Sequence, residues 1–103
     1  MSYTLSVVYP GDVTFNLDYY LTTHMPLVQK TWAPVGLKKY KVVEYTSPGT
    51  PYKIQAILTW ESKEKADAAL AGPGAAAILG DIPNFSDKDA TFLSGESRTE
   101  VSC

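Results

Sequence analysis

The chain has 103 residues, 45% of them hydrophobic and 19% charged, which suits one folded domain spanning residues 1–103 and leaves no room for a second. Nine basic and eleven acidic residues give a net charge of −2, so the positive excess that a phosphate-rich partner demands is absent and no nucleic acid is expected. A single histidine, His24, excludes two-His zinc and iron sites within one chain, and a single cysteine, Cys103, excludes an internal disulfide.

The opening Met1-Ser2-Tyr3-Thr4-Leu5 carries neither the basic region nor the apolar run of a secretory leader, and a cytoplasmic protein is the expectation. Tyr3, Leu5, Val7 and Tyr9 then alternate with smaller or polar residues, predicting a strand over 3–9 that Pro10-Gly11-Asp12 turns off. Thr14 or Asn16 can cap the helix that follows. Leu17, Tyr20, Leu21, His24, Leu27, Val28 and Trp32 share one arc of that helix at ~100° per residue, with Asp18, Thr22, Thr23, Gln29 and Lys30 opposite. Pro26 removes a donor and predicts a kink or break near His24. Ala33-Pro34-Val35-Gly36 ends the helix.

A second strand is predicted over 37–45, with Lys38, Lys39 and Lys41 read as a solvated sheet edge. Ser47-Pro48-Gly49-Thr50-Pro51 reads as a hairpin loop into a third strand over 52–61, where Tyr52, Ile54, Ala56, Leu58 and Trp60 share a face. Ser62 caps a second helix over 63–71, and residues 75–79 add a short helical turn beyond Gly72-Pro73-Gly74. This apolar stretch is broken and far short of the ~20 residues a bilayer requires, so no membrane partner is expected. Asp81 to Asp87 is loop chemistry, and a last strand is predicted over 90–101, bent at Gly95.

The order β-α-β-β-α-β gives an α+β, ferredoxin-like fold with a four-stranded antiparallel sheet. Two helices cover one sheet face, leaving the other to solvent or a partner. Val8 and Ile57 make that second face mixed in character, and a homodimer through the sheet faces is the expectation.

His24 stands out as a proton carrier, because imidazole titrates near neutrality and here sits inside an apolar stripe. It is read as a general acid/base in a pocket between the first helix and the sheet, or as a core histidine bonded to a carbonyl. Tyr20, one turn earlier on the same face, shares that environment. Tyr9, Trp32 and Trp60 add a phenol and ring walls, or serve as core. Gly72-Pro73-Gly74-Ala75-Ala76-Ala77 matches a dinucleotide-binding spacing, but a helix precedes it where a strand is required, so it is set aside. The sequon Asn84-Phe85-Ser86 has no secretory signal to give it meaning.

Residues 15–27, Phe15-Asn16-Leu17-Asp18-Tyr19-Tyr20-Leu21-Thr22-Thr23-His24-Met25-Pro26-Leu27, resemble the EthD family, whose helix carries a Phe, an acid, paired tyrosines and His-x-Pro-Leu at this spacing. Tyr9-Pro10, Gly36-Leu37, Pro51-Tyr52 and the 81–87 segment agree, so the resemblance runs from Tyr3 to Glu100. It implies a dimeric α+β barrel, with two ferredoxin-like sheets facing each other. Families of that architecture include cofactor-free monooxygenases, haem enzymes, isomerases and dehydratases. EthD relatives are linked to breakdown of ethers and other small organics and to tailoring of aromatic polyketides. The resemblance thus implies an oxidoreductase without a bound cofactor or metal, acting on a small apolar or aromatic molecule. His24 and Tyr20 would be catalytic, while Tyr9, Trp32, Trp60, Asn84 and Phe85 would bind substrate. Asn84 either shapes its turn or donates to a substrate oxygen. The alternatives are a carrier of a hydrophobic metabolite, a dehydratase or isomerase on the same scaffold, or a haem protein with His24 as axial ligand.

Overall fold

Alternation along the strands decides the layers. In the computed structural model, which describes residues 2–103, strand β1 (Tyr3–Pro10) turns Tyr3, Leu5 and Tyr9 inward, and β3 (Tyr52–Trp60) turns Ile54, Ala56, Leu58 and Trp60 inward. β2 (Leu37–Glu44) and β4 (Thr91–Glu96) flank them in the antiparallel order β2-β3-β1-β4. The helices α1 (Leu17–Tyr19), α2 (Met25–Trp32), α3 (Lys63–Ala71) and α4 (Pro73–Gly80) cover one face. The chain is therefore α+β with the ferredoxin-like βαββαβ arrangement.

Local chemistry sets the element ends. Ser62 accepts from the Lys65 backbone N–H at 3.2 Å and starts α3 at Lys63. Gly36 enters β2 with φ of +122°, and a Cβ there would lie 2.7 Å from that of Lys65. Lys38, Lys39 and Lys41 are exposed on the outer strand β2, where their charge guards an unpaired edge.

The last strand is shorter than its sequence suggests. β4 stops at Glu96 and passes Gly95 without a register shift. Glu96 lies opposite Tyr3, where β1 begins, so no strand remains to pair with residues 97–103; Ser97 makes a final bond to the Ser2 carbonyl at 3.0 Å. The helix-free face carries Ser6, Gln55, Lys41 and four apolar side chains: Val8, which is buried, Val43 and Ile57, which are half-buried, and Leu93, which is exposed.

Candidate functional site

Asn16 anchors the helix that carries the site. Its Oδ1 accepts from the Tyr19 backbone N–H at 3.1 Å, and its own N–H donates to the Phe85 carbonyl at 2.8 Å. The helix start is thereby tied to the loop after α4. Between α1 and α2 the backbone widens into a π turn, Tyr20–His24, closed by the Met25 N–H on the Tyr20 carbonyl. Pro26, in the first turn of α2, has no donor to contribute, so the helix changes its bonding where the sequence predicts a kink.

The π turn brings both of its inward rings to one place. Tyr20 and His24 stack with centroids 5.2 Å apart and planes 14° from parallel, and Phe85 lies 4.5 Å from the imidazole. His24 is only 4% exposed. Its Nδ1 meets Asp81 Oδ2 at 2.9 Å, and Asp81 Oδ1 accepts from the Tyr19 hydroxyl at 2.6 Å and the Asn84 amide at 2.9 Å. Burial pushes the Asp81 carboxyl up, but bonds from Tyr19, Asn84 and His24 together outweigh it and hold it below its ordinary range. Burial pulls the His24 pKa down, and the bond to Asp81 only partly restores it. A neutral imidazole beside an ionised carboxylate follows. Since a carboxylate only accepts, Nδ1 carries the proton and Nε2 keeps its lone pair.

His24, Tyr20, Tyr9 and Trp32 line an apolar hollow of about 30 Å³ between helices and sheet, walled by Leu5, Val28 and Leu58. That volume holds roughly one water molecule. Two lining residues reach the surface, Leu79 at 41% exposed and Phe92 at 46%, and they mark its mouth. Burial raises the pKa of both the Tyr9 and Tyr20 phenols, and no hydrogen bond contributes to either shift. Near neutrality both hydroxyls are protonated and available as donors.

The other expected site residues lie outside this lining. Trp60 is fully buried against Trp32, with centroids 5.4 Å apart, and its Nε1 has no partner among the described residues. Phe85 is a packing ring whose neighbours are Tyr9, Phe15, Tyr19, Tyr20 and His24. Asn84 lies in the turn after α4 and donates one amide N–H to Asp81 Oδ1 at 2.9 Å. Sequence reasoning missed Asp81 and Tyr19. Asp81 lay within the segment matched to the family, and an acid there with one histidine needing a partner was the available signal.

Among the described residues no group of three or more His, Cys, Asp or Glu side chains could hold a metal ion, and no helix is long and apolar enough to cross a membrane. No protein-family model matches the chain, and no curated protein matches it in sequence. Solved structures do. An EthD-like protein from Ralstonia eutropha JMP134 is 27% identical, covers 98% of this chain and 96% of its own, and superposes with a TM-score of 0.81. An ethyl tert-butyl ether D (EthD) family protein from Bacillus halodurans C-125 is 23% identical over 94% of this chain and 99% of its own, with a TM-score of 0.75. SnoaB, a cofactor-independent oxygenase from Streptomyces nogalater, is 13% identical over 97% and 96%, with a TM-score of 0.73. The chain has the EthD fold.

Proposed function

We propose that this chain is a cofactor-free oxidoreductase that takes an enolisable aromatic or similar apolar molecule into the hollow beside His24. The carrying observation is a buried imidazole bonded through Nδ1 to Asp81 at 2.9 Å and set among apolar walls. Nε2 takes a proton from an activated C–H or phenolic O–H group. The Tyr9 and Tyr20 hydroxyls donate to the substrate oxygen on which negative charge develops. The resulting carbanion adds dioxygen, the co-substrate, and His24 returns the proton to give a hydroperoxide. Loss of water then leaves a carbonyl: one CH₂ and one O₂ become one C=O and one H₂O.

The likeness to a cofactor-independent oxygenase supports this reading at the level of scaffold. Substrate admission requires Leu79 and Phe92 to part, since the closed hollow is far below the ~300 Å³ typical of a ligand pocket. A porphyrin would demand much greater widening than one aromatic ring system, and no haem takes part in this chemistry. The helix-free sheet face, with half-buried Val43 and Ile57 and exposed Leu93, supports a homodimer formed through it.

Oxygen uptake with a panel of anthrones, naphthols and 1,3-diketones tests the proposal. His24→Ala should lower kcat by about 10²-fold or more while the far-ultraviolet spectrum is unchanged. Equal turnover by wild type and variant would remove His24 from the mechanism. Saturable binding by wild type without oxygen uptake would make the chain a carrier. Equilibrium sedimentation should return twice the monomer mass.

A further inference from the structure

His24 takes its orientation from a carboxylate that is itself held from two sides. Asp81 caps the C-terminus of α4, and its Oδ1 receives the Tyr19 hydroxyl and the Asn84 amide at 2.6 and 2.9 Å. Tyr19 comes from the end of α1 and Asn84 from the turn Ile82–Asn84, so two separate elements clamp one oxygen. Oδ2 is left for His24 Nδ1. We infer that Tyr19 and Asn84 are positioning residues for the proton transfer proposed above: by occupying Oδ1 they keep Oδ2 on Nδ1–H, and so keep the imidazole in the tautomer whose Nε2 accepts protons. The inference rests on the His24 reading for its purpose, but its structural half needs no turnover.

The clamp has a physical reason. A carboxylate torsion is broad and roughly two-fold, so an Asp81 bonded only to the imidazole would exchange its oxygens and bond to water. Donors on Oδ1 remove that freedom, as outer partners do for metal-bound histidines. Asp81 raises the Tyr19 pKa, so the hydroxyl remains a donor. The remaining groups around the ring carry no formal charge near neutrality: Tyr20 stacks on it from the π turn, Phe85 packs from the loop, and Tyr9 of β1 lies beyond Tyr20. Among the described residues, Asp81 is the one ionised group acting on His24.

A chain with a single histidine makes the test direct, because ring-nitrogen NMR of ¹⁵N-histidine-labelled protein reports His24 alone. Wild type should show a protonated Nδ1 and an unprotonated Nε2 at pH 7.5. Asp81→Asn should shift the population toward Nε2–H by about tenfold, the worth of one charge-assisted hydrogen bond. Tyr19→Phe/Asn84→Ala, which spares the carboxylate and the Tyr19 ring, should move the ratio in the same direction, with kcat falling by the same factor and KM unchanged. A double variant with the wild-type tautomer ratio overturns the inference, whatever its activity. A His24 pKa that rises at fixed tautomer also overturns it, since the donors would then only drain charge from Asp81. A responsive tautomer in a protein that turns over nothing on the panel leaves the clamp standing and removes the proposed function.

Discussion

Replacing Phe85 separates packing from substrate contact at the site's most crowded position. The ring is 2% exposed and meets five aromatic neighbours at centroid distances of 4.5 to 6.3 Å. Phe85→Ala leaves a void that rigid rings on a strand and a helix cannot fill, which places its cost near the middle of the Phe→Ala range, about 4 kcal/mol. Phe85→Leu keeps most of the volume and loses chiefly ring-to-ring pairing, so about 2 kcal/mol is expected. Urea unfolding followed by circular dichroism, at fixed protein concentration, measures both. For a domain of this size each kcal/mol moves Tm by roughly 4–8 °C, so the Ala variant should melt roughly 15–30 °C lower. A loss below about 1.5 kcal/mol for Phe85→Ala would refute the packing role. A raised KM at unchanged stability would return the ring to the substrate.

Acidification should destabilise the fold in two steps. The His24 pKa is lowered on folding, so the unfolded chain binds the extra proton and stability falls as pH drops below 6.5; the lowered Asp81 pKa adds a second loss below 3.8. The buried phenols act at the other end: their raised values make stability fall as pH climbs above 10.0. A urea midpoint with no decline between pH 7 and 5 would contradict the His24 shift. Gly36→Ala should cost at least about 2 kcal/mol, because φ is +122° and the new methyl would meet the Lys65 Cβ at 2.7 Å; an unchanged melting curve would show that β2 can enter another way. Phe92→Ala should remove one side of the mouth at a cost of about 1 kcal/mol or less, its ring being 46% exposed, and should quicken the binding of aromatic ligands in stopped-flow fluorescence. Unaltered association rates would place the mouth elsewhere.

Much of this arrangement is legible in the sequence because it follows from periodicity. The 3.6-residue stripe alone puts Tyr20 and His24 inside, and the alternation of β1 and β3 builds the wall that Tyr9 and Leu58 share. Ser62 marks the start of α3 to the residue. The Asp81 contact is of another kind. It joins positions 57 apart in sequence, and the segment that supplies it is full of residues whose local preference is simply to turn. Tyr19 points off the apolar stripe, so nothing in the periodicity distinguishes its hydroxyl from that of any surface tyrosine. The end of β4 was hidden for a related reason: pairing stops where β1 runs out, and strand length there depends on a partner at the opposite end of the chain.

The π turn restricts how this segment can diverge. It accommodates one residue more than a regular helix would between Tyr20 and Met25. Deleting Leu21, Thr22 or Thr23 would rejoin ordinary helical bonding with Val28 and Trp32 still facing the sheet, but would shorten the four-residue spacing that stacks Tyr20 on His24. Homologous chains should therefore exchange side chains freely along the outer surface of this turn while conserving its length, and insertions or deletions should collect in the exposed 46–51 hairpin loop instead.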